Sequence, residues 1–270
     1  AEAERSYRHA IIAGNTNALV NLGNLLSEQA GREADAEWAY RAAIAAGNID
    51  ALVDLGNLLS EQAGREADAE WAYRAAIAAG NTKALFDLGI LFSTQPGREA
   101  DAEQAYRDAG SAGNTEALFN LGVLLSGQPR READAERAFR DAVTAGNTKA
   151  LFNLGILLSG QPGREADAEQ AFRAAIVAGN TKALNNLGIL LSGQPWREAD
   201  AEQAFRAAIV AGNTKALNNL GILLSGQPGR EADAEQVYRA AIAAGNTKAL
   251  VNLWNLLGKQ PGGEVERYRG

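Results

Sequence analysis

The sequence predicts an all-α solenoid of about eight helix pairs, and three observations carry that expectation. The run Gly-Arg-Glu-Ala-Asp-Ala-Glu begins at Gly31, Gly64 and Gly97, each start 33 residues after the last, and the phase holds through Gly163 and Gly229. A fixed period of this size marks stacked structural repeats. The apolar fraction is 46%, supplied mostly by alanine and leucine, which favour helix over strand. A 33-residue unit is also too small to bury a core alone, so stability has to come from neighbours. The expected organisation is one elongated repeat domain over residues 1–270, with repeats starting near 31, 64, 97, 130, 163, 196 and 229. A partial repeat fills residues 1–30, and a short stub follows over 262–270.

Each unit reads as two short antiparallel helices, as the stretch from Gly163 to Pro195 illustrates. Glu165, Asp167 and Glu169 follow Pro162-Gly163, and acids in a first turn complement the helix dipole. Ala168, Phe172 and Ala175 then share one face at helical spacing. Gly179 stops this helix as a left-handed cap, and Asn180 or Thr181 caps the next. In that second helix Leu184, Leu187, Leu190 and Leu191 form the buried stripe, while Gly188 lets a neighbour approach closely. Gly193-Gln194-Pro195 breaks the helix and opens the next unit. The Asn-Thr helices, called A, begin near Asn15, Asn48, Asn81, Asn114, Asn147, Asn180, Asn213 and Asn246. The Arg-Glu-Ala helices, called B, begin at the N-terminus and near Arg32, Arg65, Arg98, Arg131, Arg164, Arg197 and Arg230.

These residues resemble a known superfamily. Ala84-Leu85-Phe86-Asp87-Leu88-Gly89, followed by Ala102, Tyr106 and Ala109, is similar to the tetratricopeptide pattern of a Leu-Gly pair and then Ala-x3-Phe-x2-Ala. The spacing from Gly80 through Ala84 to Leu88-Gly89 is closer still to the Sel1-like branch. The chain departs from that branch in its period, in its short A-to-B turn and in lacking a tryptophan next to the helix B aromatic. The resemblance implies a right-handed superhelix, with the A helices lining a concave groove that binds protein.

By that resemblance, four columns of residues face the groove. Asn17, Asp50, Lys83, Glu116, Lys149, Lys182, Lys215 and Lys248 form one. Val20, Val53, Phe86, Phe119, Phe152, Asn185, Asn218 and Val251 form the second, and Asn24, Asn57, Ile90, Val123, Ile156, Ile189, Ile222 and Asn255 the third. The fourth runs Asn21, Asp54, Asp87, Asn120, Asn153, Asn186, Asn219 and Asn252. Phe86, Ile90, Phe119, Val123, Phe152 and Ile156 are therefore expected to give a partner apolar contact. Asn120, Asn153, Asn186 and Asn219 are candidates to hold a peptide backbone, since an amide both donates and accepts. Solvated asparagines that merely precede each Leu-Gly are the alternative. Lys149, Lys182 and Lys215 favour an acidic segment. Acids (Glu28, Asp50, Asp54, Glu61, Asp87) gather toward the N-terminus and lysines, including Lys248 and Lys259, toward the C-terminus. This polarity would steer a partner of opposite pattern; drift on a solvated face explains it equally.

Trp38 and Trp71 hold a helix B position occupied elsewhere by Gln104, Arg137 and Gln170, and Trp196 replaces a turn glycine. Repeats 163–195 and 196–228 differ only there, which points to recent duplication followed by drift, or to deliberate assembly. A contact patch at Trp38 and Trp71 is the functional alternative. Trp254 stands where every earlier A helix has glycine and is expected to fill space over the abbreviated final unit. The chain opens in a B helix and closes after an A helix, so head-to-tail pairing of the Ala3, Tyr7, Ala10 face with the Leu250, Leu253, Trp254 face is a second hypothesis. An engineered repeat array without a dedicated ligand is a third.

Net charge is −7, which argues against nucleic acid as partner. No apolar run is long enough for a membrane span, and no leader pattern opens this stretch, which favours the cytoplasm. There is no methionine, so residue 1 is not expected to be a native start. With no cysteine and His9 as the single histidine, neither a nucleophile–base pair nor a metal cluster is expected. The acids of Glu-Ala-Asp-Ala-Glu recur in nearly every unit and read as capping and solvation. The expected protein is non-enzymatic, without cofactors, and binds a protein or peptide, acidic in character.

Overall fold

A computed structural model describes residues 2–258 of the chain. Among them every regular element is a helix. The B helices are α1 (Glu2–Ile12), α3 (Glu33–Ala45), α5 (Glu66–Ala78), α7 (Glu99–Ser111), α9 (Glu132–Thr144), α11 (Glu165–Val177), α13 (Glu198–Val210) and α15 (Glu231–Ala243). The A helices are α2 (Asn17–Ser27), α4 (Ala51–Ser60), α6 (Ala84–Ser93), α8 (Thr115–Ser126), α10 (Ala150–Ser159), α12 (Lys182–Ser192), α14 (Lys215–Ser225) and α16 (Lys248–Gly258). The chain is thus an α-solenoid of alternating helix pairs. It divides into two compact units, Ala1–Ala145 with α1 to α9 and Gly146–Gly270 with α10 to α16. The stub over 262–270 and Lys259 lie outside the described residues.

The helix ends follow from local chemistry. Each B helix stops two residues before a glycine in the left-handed region. At the end of α11 the N–H of Gly179 donates to the Ile176 carbonyl and that of Asn180 to the Ala175 carbonyl, both at 2.9 Å, which closes the helix. Asn180 then accepts the Lys182 N–H at 3.2 Å on Oδ1, whereas Thr181, at the N-cap position of α12, makes no side-chain cap bond. Asn15, Asn81, Asn213 and Asn246 repeat this contact two residues on. Asn114 differs: it accepts the Ala117 N–H at 3.0 Å as a full N-cap of α8.

The Leu-Gly pair is a packing device. A Cβ added at Gly89 would lie 2.6 Å from the Tyr106 ring, and one at Gly188 would lie 2.6 Å from the Phe205 ring. Each A helix from α2 to α14 therefore receives the large aromatic of the following B helix against bare backbone. Around that contact lie fully buried alanines such as Ala102, Ala168 and Ala201 and leucines such as Leu55, Leu158 and Leu191. Within each unit successive A helices touch, as α2 does α4 and α12 does α14, whereas successive B helices stay apart. The A layer is the tight side of the stack and the B layer the open side.

One expectation needs correction. The recurring acids do more than cap and solvate. The first acid does cap: Glu33 accepts the Gly31 N–H at 3.0 Å. The third, however, bridges repeats on the open side. Arg65 reaches Glu37 at 3.0 Å, Arg131 reaches Glu103 at 2.9 Å, and in the second unit Arg197 reaches Glu169 at 2.9 Å. The same glutamates also hold Arg41, Arg107 and Arg173 one helical turn on, and the middle acid grips its own arginine, as Asp68 does Arg65. Arginine thus alternates with glutamate from repeat to repeat. These bonds hold the Glu37, Glu103 and Glu169 carboxyls below the usual glutamate range, the bond from the next repeat's arginine being the largest cause.

Candidate functional site

The first unit's A face has an apolar part and an acidic part. Phe86 and Phe119 are half-buried, because their rings lean on Tyr106 and Phe139 with centroids 6.2 Å apart. They form the floor of the face. Ile90 and Val123, by contrast, stand out from it. Asn120 is half-buried beside them. Asp54 and Asp87 occupy the same column as Asn120, and burial pushes both carboxyls above the usual aspartate range, with Asp50 adding to the effect at Asp54. Asp50 accepts from Asn81 Nδ2 at 3.1 Å.

The second unit repeats the plan with different chemistry. Phe152 leans on Phe172 at 6.3 Å, again as floor. Ile156, Ile189 and Ile222 stand in the exposed column of this unit, 45–50% accessible. Where the phenylalanine column continues, α12 and α14 carry Asn185 and Asn218. Asn185 is buried and its Oδ1 accepts from Asn219 Nδ2 at 3.0 Å, while Asn218 Oδ1 accepts from Asn252 Nδ2 at 2.9 Å. The asparagines thus interlock from one A helix to the next. Those two bonds leave the Asn219 carbonyl and the Asn218 NH2 uncommitted by them. Asn186 is held more loosely, by Asn185 at 3.5 Å, and Asn153 is half-buried on α10.

Two recesses open on this face. One, of about 590 Å³, lies where α14 and α16 begin and is lined by Asn185, Lys215, Asn218, Asn219 and Lys248. The other, of about 700 Å³, is lined by Ile189, Phe205, Asn219, Ile222 and the Gly226-Gln227-Pro228 turn. Asn219 borders both, so cationic and apolar surfaces adjoin along α14. Lys182 is exposed on α12, and Lys149 precedes α10. Asn185 and Asn218 escaped the sequence-based site, although their replacement of phenylalanine in the column was the available signal.

The residues expected to join copies lie as follows. Ala3 is exposed, Tyr7 and Ala10 are half-buried, and α1 buries no side chain. Leu250 and Trp254 are exposed on α16 and Leu253 is half-buried. Trp254 takes the place of glycine, where interior repeats seat an aromatic ring such as Tyr238 on Gly221. Trp196 is 93% exposed. Among the described residues no helix is long and apolar enough to cross a membrane, and no group of three His, Cys, Asp or Glu could hold a metal ion.

No protein-family model matches the chain, and no curated protein matches its sequence. Solved structures do share its architecture. A protective antigen present in uropathogenic Escherichia coli strains, displaying an SLR fold, superposes with a TM-score of 0.63 at 21% identity, over 94% of this chain and 59% of its own. A Sel1 repeat protein from Oxalobacter formigenes gives 0.50 at 20% identity, over 83% and 99% respectively. Yeast Tom70 gives 0.52 at 12% identity, over 100% and 62%. The chain has the fold of Sel1-like and tetratricopeptide repeat proteins. It spans less than two thirds of the antigen and of Tom70.

Proposed function

We propose that this chain is a peptide-binding scaffold whose A-helix faces hold an extended segment of a partner protein. The observation that carries this reading is the exposed isoleucine column beside the recess lined by lysine and asparagine in the second unit. Ile189 and Ile222 offer apolar contact, Lys215 and Lys248 attract carboxylates, and Asn218 and Asn219 offer a donor and an acceptor to a backbone. Lys215 and Ile222 lie on one helix about 10 Å apart along its axis, which about three residues of extended chain span. The favoured segment carries Asp or Glu three residues from Leu, Ile or Val. Ile156, Asn153, Asn186, Lys149 and Lys182 extend the same chemistry within the unit. On the first unit's face, Phe86, Ile90, Phe119, Asn120 and Val123 supply apolar and amide contact, and Asp54 and Asp87 suit basic side chains.

The test is fluorescence anisotropy with labelled peptides of that spacing. Lys215→Glu with Lys248→Glu is expected to weaken an acidic–aliphatic peptide about tenfold or more, and Ile222→Asp comparably. Raising the salt should weaken the wild type and spare the lysine variant. Affinity indifferent to both changes, in variants with native helical content, rules this face out.

A further inference from the structure

The open side of the stack carries a different surface. In the second unit a cleft of about 400 Å³ lies between α11 and α13, with α12 beneath it. Leu184, Leu187 and Leu191 line the floor, Ile176 and Ala204 the walls, and Arg173 and Gln203 the rim.

Two repeats of the first unit carry an indole at this place, and Trp38 and Trp71 are 61% and 56% exposed. Trp38 and Trp71 hold the helix B position of Gln203, and Leu19 and Leu52 hold the helix A position of Leu184. Where the indole is present, the leucine is buried: Leu19 and Leu52 are each 6% exposed. Where glutamine or arginine stands instead, Leu85, Leu118, Leu184 and Leu217 are only half-buried. An indole at that helix B position thus goes with a more deeply buried leucine. The charges at the rim are already satisfied, Arg173 by Glu169 at 2.8 Å and Asp200 by Arg197 at 2.6 Å. Selection at the cleft rests on a neutral flat ring and not on net charge.

We propose that the cleft between α11, α12 and α13 receives a tryptophan side chain presented by a partner protein. An indole brings a large apolar area with few rotatable bonds, and such anchors in pockets dominate many interfaces. The site is on the side opposite the isoleucine column and does not depend on the peptide reading of that face.

The experiment is NMR titration of the isotope-labelled full chain with N-acetyltryptophanamide. Saturable shifts are expected at Ile176, Leu184 and Ala204. Gln203→Trp places an indole at the position equivalent to Trp71, so it should weaken those shifts by about tenfold or more while keeping the fold. The reciprocal change, Trp71→Gln, should open a new site that shifts Leu52 and Ala72. N-acetylleucinamide should bind about tenfold more weakly than the tryptophan probe. The proposal is overturned if α11 to α13 show no shifts at high probe concentration, if Gln203→Trp binds undiminished, or if the leucine probe binds equally well.

Discussion

Tyr73 donates its hydroxyl to Asn57 Oδ1 at 2.7 Å, and Tyr40 makes the same bond to Asn24. The partner position changes with the ring. Opposite Phe139, Phe172 and Phe205 it holds Val123, Ile156 and Ile189, which ask for no hydrogen bond. Burial raises the Tyr73 hydroxyl to about 12. Tyr106 and Tyr238, which face Ile90 and Ile222, turn to Ser93 and Ser225 at 3.3 Å. Asn57→Ile alone should therefore cost about 1 kcal/mol or less, with Ser60 as substitute partner. Adding Tyr73→Phe should recover most of that loss. Denaturant melts of the single and double variants check the coupling.

Gly188 and Gly160 should respond oppositely to alanine. In a helix interior alanine is ordinarily better by about 1 kcal/mol. At Gly188 the new Cβ would run into the Phe205 ring, and overpacking of that kind costs about 1–3 kcal/mol. Gly188→Ala is expected to destabilise. Gly160 ends α10 with φ of −83°, and its Cβ would meet nothing nearer than the Leu157 carbonyl at 3.7 Å. Gly160→Ala should stabilise by about 0.4–1 kcal/mol. Thermal melts of the two variants give the signs directly.

Trp196 sits at φ 65°, where the equivalent turns other than that at Arg130 use glycine. A left-handed conformation costs a side-chain-bearing residue about 1–2 kcal/mol, and the exposed indole regains little by packing. Trp196→Gly should raise stability by about 1 kcal/mol, reduced by the freedom glycine gains in the unfolded chain. Arg130, at φ 63°, should behave alike. Equal or lower melting temperatures for both variants would show that the side chains contribute contacts that outweigh the strain.

The carboxylates should respond to pH in opposite ways. Asp87 has a raised folded-state pKa through burial, so its ionised form burdens the fold. That burden is relieved as pH falls through the folded value. Asp87→Asn should therefore raise the melting temperature at neutral pH, with the gain fading as pH falls through the raised folded value and gone near the ordinary aspartate value of about 4. Glu103 is lowered, mainly by the bond from Arg131. Its contribution is present above the ordinary glutamate value and disappears as pH falls through the folded one. Glu103→Gln should lose about 1 kcal/mol or less at neutral pH, because both partners keep solvent contact, and the loss should shrink with salt. Melts across pH 3–8 separate the two.

Much of the architecture was legible because it depends on spacing within one unit. The period, the helix stop at Gly179 and the bare backbone at Gly188 each follow from neighbours a few positions away. The Arg65–Glu37 bridge was not legible, because it joins residues 28 apart across a gap whose width only the stacking sets. The apolar column was legible as a column, but not in its depth. Phe119 and Val123 lie one turn apart on α8, yet the ring turns inward to Phe139 and the valine does not. Asn185 and Asn219 were each visible as amides; that one would bond the other depends on how closely α12 and α14 approach.

The near identity of residues 163–195 and 196–228 has a consequence beyond packing. Each block presents its neighbours with interchangeable shoulders, so a recombination that drops or doubles one block rejoins matching surfaces without any new fit being selected. A chain that gained or lost such a block would change in length by a whole cassette, and each cassette brings its own lysine, asparagine pair and isoleucine. Reach along a partner would then be counted in units, and inherited as a number instead of a shape.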